Sequence, residues 1–156
     1  MQCDNGSDVE PGSPARRPLT FQLRMVSDPR VLSVVRSTVA ELAAVSGFDE
    51  EQCRAITLAV DEALSNVIRH AYQNRCDREV ELNCQVQGDY LEFTFLDQGE
   101  PTDFTKICGR PLDEIALSGR GTHIIRQIMD EVRYERVSGR NRLCLKKYRS
   151  DHTGKV

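Results

Sequence analysis

Glu62 and Asn66 stand four residues apart in "DEALSNVIRHAY", residues 61–72. A solvated helix face more often carries Glu/Lys pairs than a carboxylate followed by a neutral amide. At 3.6 residues per turn the two side chains lie about 40° apart around a helix and one turn apart along it. Ile56, Ala63, Leu64, Val67 and Ala71 gather on the other side, so the pair falls at or beyond the edge of the buried stripe and can face a cleft. A carboxylate there can accept a proton from an attacking hydroxyl or water. The amide oxygen is a hard ligand that completes a Mg²⁺ shell without adding charge beside phosphate oxygens. Alone, the spacing also describes a polar strip facing solvent.

Asp97 is a carboxylate of a different kind. It shares strand parity with Leu91, Phe93 and Phe95, so its side chain points to the core face. A buried carboxylate is costly without donors. Gly99 follows at once and removes a side chain where another group can approach the backbone. One acceptor fixed at the bottom of an apolar pocket selects an adenine amino group, although an Asp that ends a strand and caps the next turn reads the same way locally. The third stretch is "SGRGTHII", residues 118–125. Gly119 and Gly121 precede an apolar helix, so free N–H groups and the positive end of its dipole can face phosphate. Thr122 is the expected N-cap and a further phosphate contact. No GK[ST] follows the glycines and no first strand precedes them, so this is neither a Walker loop nor a Rossmann turn.

These residues need a frame to bring them together. Leu19, Phe21, Leu23 and Met25 alternate with polar residues and predict a strand. Asp28 as N-cap and Pro29 at the first helical position predict a helix ended by Gly47, with Val31, Val35, Val39 and Leu42 along one side. Asp49 and Gln52 form a capping box for a second helix running to about Tyr72. Val80–Val86 and Leu91–Phe95 alternate on either side of Gly88-Asp89 and predict a hairpin. Residues 98–118 show no period and predict a functional lid or a disordered segment. A third helix over about 122–130 and strands around 132–137 and 143–148, joined through "SGRN", complete the order β-α-α-β-β-loop-α-β-β. That order implies an α+β fold: a two-layer α/β sandwich with helices on one face of a mixed, mostly antiparallel sheet.

Bulk properties set the outer bounds. At 156 residues the chain suits one domain burying roughly 68–70% of its unfolded surface. Residues 1–18, rich in Gly, Pro, Ser and charge, read as a disordered tail, 19–149 as the domain and 150–156 as a second tail. A net charge of −3 gives no footprint for nucleic acid, and the basic run at Lys146, Lys147 and Arg149 reads as a solvated strand end. No apolar run approaches the ~18 residues that span a bilayer, so no membrane is expected. The first residues lack an apolar export signal, which predicts a cytoplasmic protein whose six cysteines are reduced thiols. No C-x-x-C pair occurs, so no zinc site is expected, and Cys84 and Cys144 read as small buried hydrophobes.

The order of the pieces is more specific than any one of them. A helix bearing E-x-x-x-N, a strand ending D-x-G, a pliable segment and G-x-G opening a helix resemble the motif series of the GHKL ATPases. That superfamily includes DNA gyrase, sensor histidine kinases and MutL. The stretches "LAVDEALSNVIRHAY", "DQGEPTDF" and "GRGTHIIRQIMDEVRYER" are similar to the three boxes of small bacterial anti-sigma-factor serine kinases of the RsbW type, over about residues 19–148. The resemblance implies the Bergerat form of the sandwich, with ATP and Mg²⁺ as cofactors. It carries the general base to Glu62, the Mg²⁺-holding amide to Asn66, the adenine-reading carboxylate to Asp97 and the pocket floor to Gly99. Gly119 and Gly121 match the glycines at the phosphates, with Thr122 beside them, and residues 100–118 match the ATP lid.

The same resemblance implies a kinase that phosphorylates a serine on an anti-anti-sigma (STAS) protein and sequesters a sigma factor by partner switching. Homodimers are common in that family, although no residue pattern here requires one. Two departures stand out: "SGRNRL" where many members carry Gly-Thr near the last strand, and Glu100-Pro101 in place of a second glycine. A non-catalytic ATP-binding switch would keep the same nucleotide motifs. A histidine-kinase fragment is disfavoured by the short polar tail before the first strand, and a plain structural protein leaves the three boxes unexplained. Beside the boxes, Asp61 is expected to face solvent and His70 to pack or cap.

Overall fold

Period-two patterning becomes five strands: β1 (Leu19–Val26), β2 (Glu79–Gln87), β3 (Tyr90–Asp97), β4 (Glu131–Val137) and β5 (Arg140–Tyr148). The structure is a computed structural model and describes residues 18–101 and 120–149. The tails expected at 1–18 and 150–156 therefore lie outside it apart from Pro18, as do residues 102–118 of the long connection. The strands pair in the order β1-β2-β3-β5-β4, and all four pairings are antiparallel, in keeping with the mostly antiparallel sheet expected. Two tight turns close the hairpins, at Gly88 (φ 45°) and at Ser138-Gly139 (φ 52° and 78°), backbone values that suit two-residue hairpin loops.

Register decides which residues share the inner face. Val80, Leu82, Cys84 and Val86 stand opposite Asp97, Phe95, Phe93 and Leu91. Across the next pairing, Phe93, Phe95 and Asp97 stand opposite Leu145, Leu143 and Asn141. All of these are buried. One face is thus apolar along its length and ends in a single polar pair, Asp97 and Asn141. Burial pushes the Cys84 thiol up to about 12, the behaviour of the small hydrophobe expected there.

Three helices cover this face: α1 (Val31–Val45), α2 (Glu50–Asn66) and α3 (Arg120–Ile128). Val35, Val39, Leu42, Ile56, Val60, Leu64 and Ile125 join the strand residues in one core. Asp49 caps α2 by the expected box, accepting from the Gln52 N–H while the Gln52 side chain accepts from the Asp49 N–H. α1 starts later than its sequence suggests. Asp28 accepts from the N–H and guanidinium of Arg30, and the Asp28 and Pro29 carbonyls bond Val31 and Leu32 in a tight turn, so the regular helix begins at Val31. Its far end closes as a Schellman motif, with Gly47 at φ 89° and Phe48 bonded back to Ala43.

The basic run near the C-terminus is not simply solvated. Lys147 reaches the Ile128 carbonyl at the end of α3 (2.8 Å) and Asp130 (3.1 Å). Lys146 lies 4.4 Å over the Tyr90 ring. Arg149 bonds the Ser46 and Gly88 carbonyls. Lys147 and Arg149 thus close helix and hairpin ends. No helix among the described residues is long and apolar enough to cross a membrane.

After Asn66, α2 continues through a π-helical turn, Val67–Ala71, with Tyr72 N–H bonded to Val67 O at 2.9 Å. The end of β3 lands on this turn. Glu100 N–H bonds Ala71 O at 2.8 Å, and a Cβ at Gly99 would meet the Ala71 carbonyl oxygen and come within 2.6 Å of its carbon. Backbone cannot move aside as a side-chain tip can. Gly99→Ala should therefore cost about 1–3 kcal/mol and lower the thermal midpoint by several degrees, as measured by calorimetry; an unchanged midpoint would contradict this close approach.

Candidate functional site

α2 is the spine along which the singled-out residues meet. Glu62 is partly buried and Asn66 is 6% exposed, both on the side of α2 that meets α3. α3 begins at Arg120, so Gly121 lies within its first turn. Thr122, 4% exposed, is a buried helical residue and not the N-cap expected from the sequence. Glycine inside a helix costs about 1 kcal/mol relative to alanine, which is why "GRGT" reads as a loop running up to a helix. Packing reverses that preference: a Cβ at Gly121 would lie 2.5 Å from Glu62 Oε2 and 3.7 Å from Asn66 Nδ2. Glycine lets the N-terminal turn of α3 settle on the two polar side chains of α2 as they stand, whereas a Cβ would displace the Glu62 carboxylate. Gly119 lies outside the described residues.

The neighbours of Glu62 divide by face. Arg69, two turns on, brings Nη2 to 3.8 Å from Glu62 Oε2, a pair open enough to solvent to contribute little to stability. Asp61 does not simply face solvent: it accepts from Arg36 Nη1 at 2.9 Å and ties α2 to α1. His70 is exposed and so is not packed in the core as expected.

Asp97 sits at the other end of the site. From Glu62 to Ala71 the spine runs roughly 13 Å, a length suited to an extended nucleoside triphosphate. An α-helix would place Ala71 about 140° round from Asn66, and the i→i+5 geometry of the π turn reduces that offset. Gly99 and Asp97 dock beside Ala71 on this turn. Asp97 is 5% exposed, and its Oδ1 accepts from Gly99 N–H at 2.8 Å and Asn141 Nδ2 at 2.7 Å. Burial pushes its carboxyl above the ordinary value, while Asn141, Gly99, Arg136 and Arg140 pull it back. Tyr72 closes the neighbourhood, donating to Glu79 O and accepting from Gln98 N–H.

A cavity of about 630 Å³ opens here, bordered by Ala71, Tyr72, Asp97, Gly99, Arg78 and Arg140 among others. Glu62, Asn66 and Gly121 are not among its described lining residues. The cavity therefore marks the Asp97 end, and the close approach of Gly121 marks the Glu62 end. What the second end offers an anionic chain is the first-turn N–H groups of α3 and the neutral amide of Asn66, with the Glu62 carboxylate packed against Gly121. No group of three or more His, Cys, Asp or Glu among the described residues could hold a metal. A Mg²⁺ ion would thus rely on Asn66 and on substrate oxygens, its usual manner of binding.

Sequence reasoning missed three participants. The π turn has no local signature. Arg136 shows none either. Asn141 carried one weak sign, inward parity with Leu143 and Leu145 on β5.

The sheet, its one-sided helices and this polar seam define a GHKL-type ATPase module. Residues 25–147 match the family model described as histidine kinase-like ATPase domain, and the chain belongs to that family. Among curated relatives, "Serine-protein kinase RsbW" of Bacillus subtilis (strain 168) is 27% identical over 127 residues, covering 76% of this chain and 79% of the relative. The protein of the same name from Bacillus licheniformis is 28% identical with the same coverage, and that from Listeria innocua is 25% identical over 119 residues, covering 71% and 76%. A crystal structure of the RsbU and RsbW domains of Rv1364c from Mycobacterium tuberculosis superposes with a TM-score of 0.58 at 16% identity. It covers 83% of this chain, which spans 32% of that longer one, and it shows the shared fold.

Two outcomes follow from the geometry. Because Asp97 binds its proton more tightly folded than unfolded, stability is lost as pH rises from the ordinary value of 3.8 through the raised one. Denaturant midpoints of Asp97→Asn relative to the unmodified protein should thus move in the variant's favour over that rise; a pH-independent difference would contradict the burial term. Gly121→Ala pushes on the tip of a side chain rather than on backbone, so the thermal midpoint should change little. Nucleotide affinity, read by titration calorimetry, should fall about tenfold or more as Glu62 and the turn of α3 are forced apart; wild-type affinity would place the phosphates elsewhere.

Proposed function

We propose that this protein is an ATP-dependent protein serine/threonine kinase that phosphorylates a serine of an anti-anti-sigma protein of the STAS fold and, through another surface, sequesters a sigma factor by partner switching. The observation that carries the reading is the close approach of Gly121 to Glu62 and to the Asn66 amide, which joins a proton acceptor, a neutral amide and the first turn of a helix at one point. Family membership supports ATP as the nucleotide, and the curated relatives named as serine-protein kinases support the class of transfer. The partners follow from the likeness of the three sequence boxes to the RsbW type. The reading extends to a domain over 19–149 with tails at 1–18 and 150–156, a cytoplasmic location, no nucleic-acid or membrane partner, and a homodimer as one assembly.

In this mechanism Asp97 accepts the adenine 6-amino group, while Gly99 keeps the pocket floor against the π turn. The first-turn N–H groups of α3, with Gly119, Gly121 and Thr122, face the phosphates. Asn66 offers its amide oxygen to Mg²⁺, which when bound supplies charge neutralisation among the phosphate oxygens. Glu62 takes the proton of the serine hydroxyl as that oxygen bonds to the γ-phosphorus. The bond to the bridging oxygen breaks, and ADP leaves. Most of the acceleration comes from positioning and charge, as is general for phosphoryl transfer. The new phosphoserine then brings negative charge to the partner's interface and releases it.

Glu62→Gln keeps the shape of the side chain and removes the base. It should bind ATP within about threefold of wild type yet transfer phosphate at least about 100-fold more slowly. The test pairs calorimetry with labelled ATP and a STAS-fold substrate. Undiminished transfer would remove Glu62 from the mechanism. ATP binding by the unmodified protein with no transfer to any such substrate would favour the non-catalytic switch instead.

A further inference from the structure

The stretch "SGRNRL" departs from the Gly-Thr expected by resemblance, yet its asparagine is among the most connected polar side chains of the described residues. Asn141, 1% exposed, stands directly opposite Asp97 across the β3–β5 pairing. Its Nδ2 donates to Asp97 Oδ1 (2.7 Å), Gly99 O (3.2 Å) and Glu100 O (3.1 Å). Its Oδ1 accepts from Arg136 Nη1 at 2.6 Å and from the Tyr134 hydroxyl at 2.9 Å. Arg136 Nη1 also donates to Gly99 O at 3.0 Å.

Donor chemistry fixes which way the amide faces. A guanidinium has no acceptor, so the Asn141 atom beside Arg136 must be the oxygen. The opposite orientation would set that oxygen against a carboxylate and two carbonyls, and the NH₂ against a cation. Arg136 therefore aims the Asn141 N–H groups at Asp97. With Gly99 N–H added, two protein donors fall on Oδ1, none of the described residues donates to Oδ2, and Asp97 lines the cavity.

We propose that Asn141 and Arg136 are positioning residues that set the base preference of this pocket: they hold Asp97 as a fixed, ionised acceptor that takes a 6-amino purine and refuses a 6-oxo purine. This rests on the nucleotide reading above. A 6-oxo group presents lone pairs to Oδ2 and is repelled. A protonated Asp97 would instead donate to that oxygen and bind it, so discrimination depends on keeping the proton off. The groups facing Asp97 are Arg136 from β4, Arg140 and Asn141 from the start of β5, Gly99 N–H, and Tyr72 from the end of the π turn, with apolar Val80 opposite on β2. Burial raises the carboxyl, and the donors and cations oppose it. Losing Asn141 or Arg136 leaves burial less opposed.

The experiment measures ATP and inosine triphosphate affinities of the full chain by calorimetry from weakly acid to weakly alkaline pH. The unmodified protein should prefer ATP by about 100-fold or more. Asn141→Leu, which keeps volume and loses the donors, should cut that preference by about tenfold or more. Arg136→Met, at an exposed residue whose loss leaves the core intact, should cut it less. In both variants the pH below which ATP affinity falls should move upward, with inosine triphosphate gaining on ATP as pH drops. Equal losses for the two nucleotides, with the preference and its pH profile unmoved, would overturn the proposal and leave a packing role. An unmodified protein that binds no ATP would overturn the nucleotide reading itself, a separate and visible failure.

Discussion

One carboxylate buried on the inner face of the sheet constrains the rest. Asp97 ends an otherwise apolar row, and an ionised group there is tolerable only if donors surround it. Two come from the protein within 2.8 Å, and one of these, Asn141, is itself oriented from behind by Arg136 and Tyr134. The β4–β5 hairpin thus has a task beyond completing the sheet. Its second β5 residue, Asn141, holds Asp97, and the first, Arg140, adds a positive charge near the same group. A sheet that ended β3 in a hydrophobe would need none of this and would pack more simply. The extra wiring makes sense if the carboxylate meets something that enters from outside.

The second constraint is where backbone may approach α2. Gly121 admits the end of α3 beside Glu62 and Asn66, and Gly99 admits the end of β3 beside Ala71. The π turn between these two docking points widens the helix and brings both toward one side, in line with the frequent association of such turns with functional sites. Both ends of the site are therefore referenced to a single rigid element. Relative position is set by the helix backbone rather than by loops, which suits a reaction sensitive to small misplacements.

Much of this was legible from residue order. The capping box at Asp49 and Gln52, the alternation on both sides of Gly88, and the inward parity of Asp97 are local signals, and each appears where local rules put it. Glu62 and Asn66 could be placed at the edge of a buried stripe because helical periodicity is geometric. What was not legible depends on partners distant in sequence. Gly121 looks like loop because its value lies in Glu62, 59 positions away, not in its own propensity. Thr122 looked like a cap for the same reason. Asn141 and Arg136 gain their meaning only once β5 is known to lie beside β3, an adjacency that no local pattern announces. Lys147 and Arg149 read as solvated because the carbonyls they close belong to α3, the α1–α2 junction and the β2–β3 turn.

Charge balance joins the two ends. A nucleoside triphosphate is strongly anionic, and the site that would hold it already contains Glu62 and Asp97 in a protein of net charge −3. The chain answers locally rather than globally. Beside Glu62 stand Arg69 at 3.8 Å and the positive end of the α3 dipole, which is strongest within its first turn. Beside Asp97 stand Arg136 and Arg140. Arg69 is half-exposed and loosely held, so it can turn from Glu62 to an arriving phosphate at small cost; Arg136 is bonded to two buried acceptors and cannot. On the proposed reading, the exposed cation lies where charge would be redistributed as phosphate arrives, and the fixed one where a neutral base would be recognised by shape and hydrogen bonding. That division follows from what each end has to discriminate: a developing charge at one, a single amino group at the other.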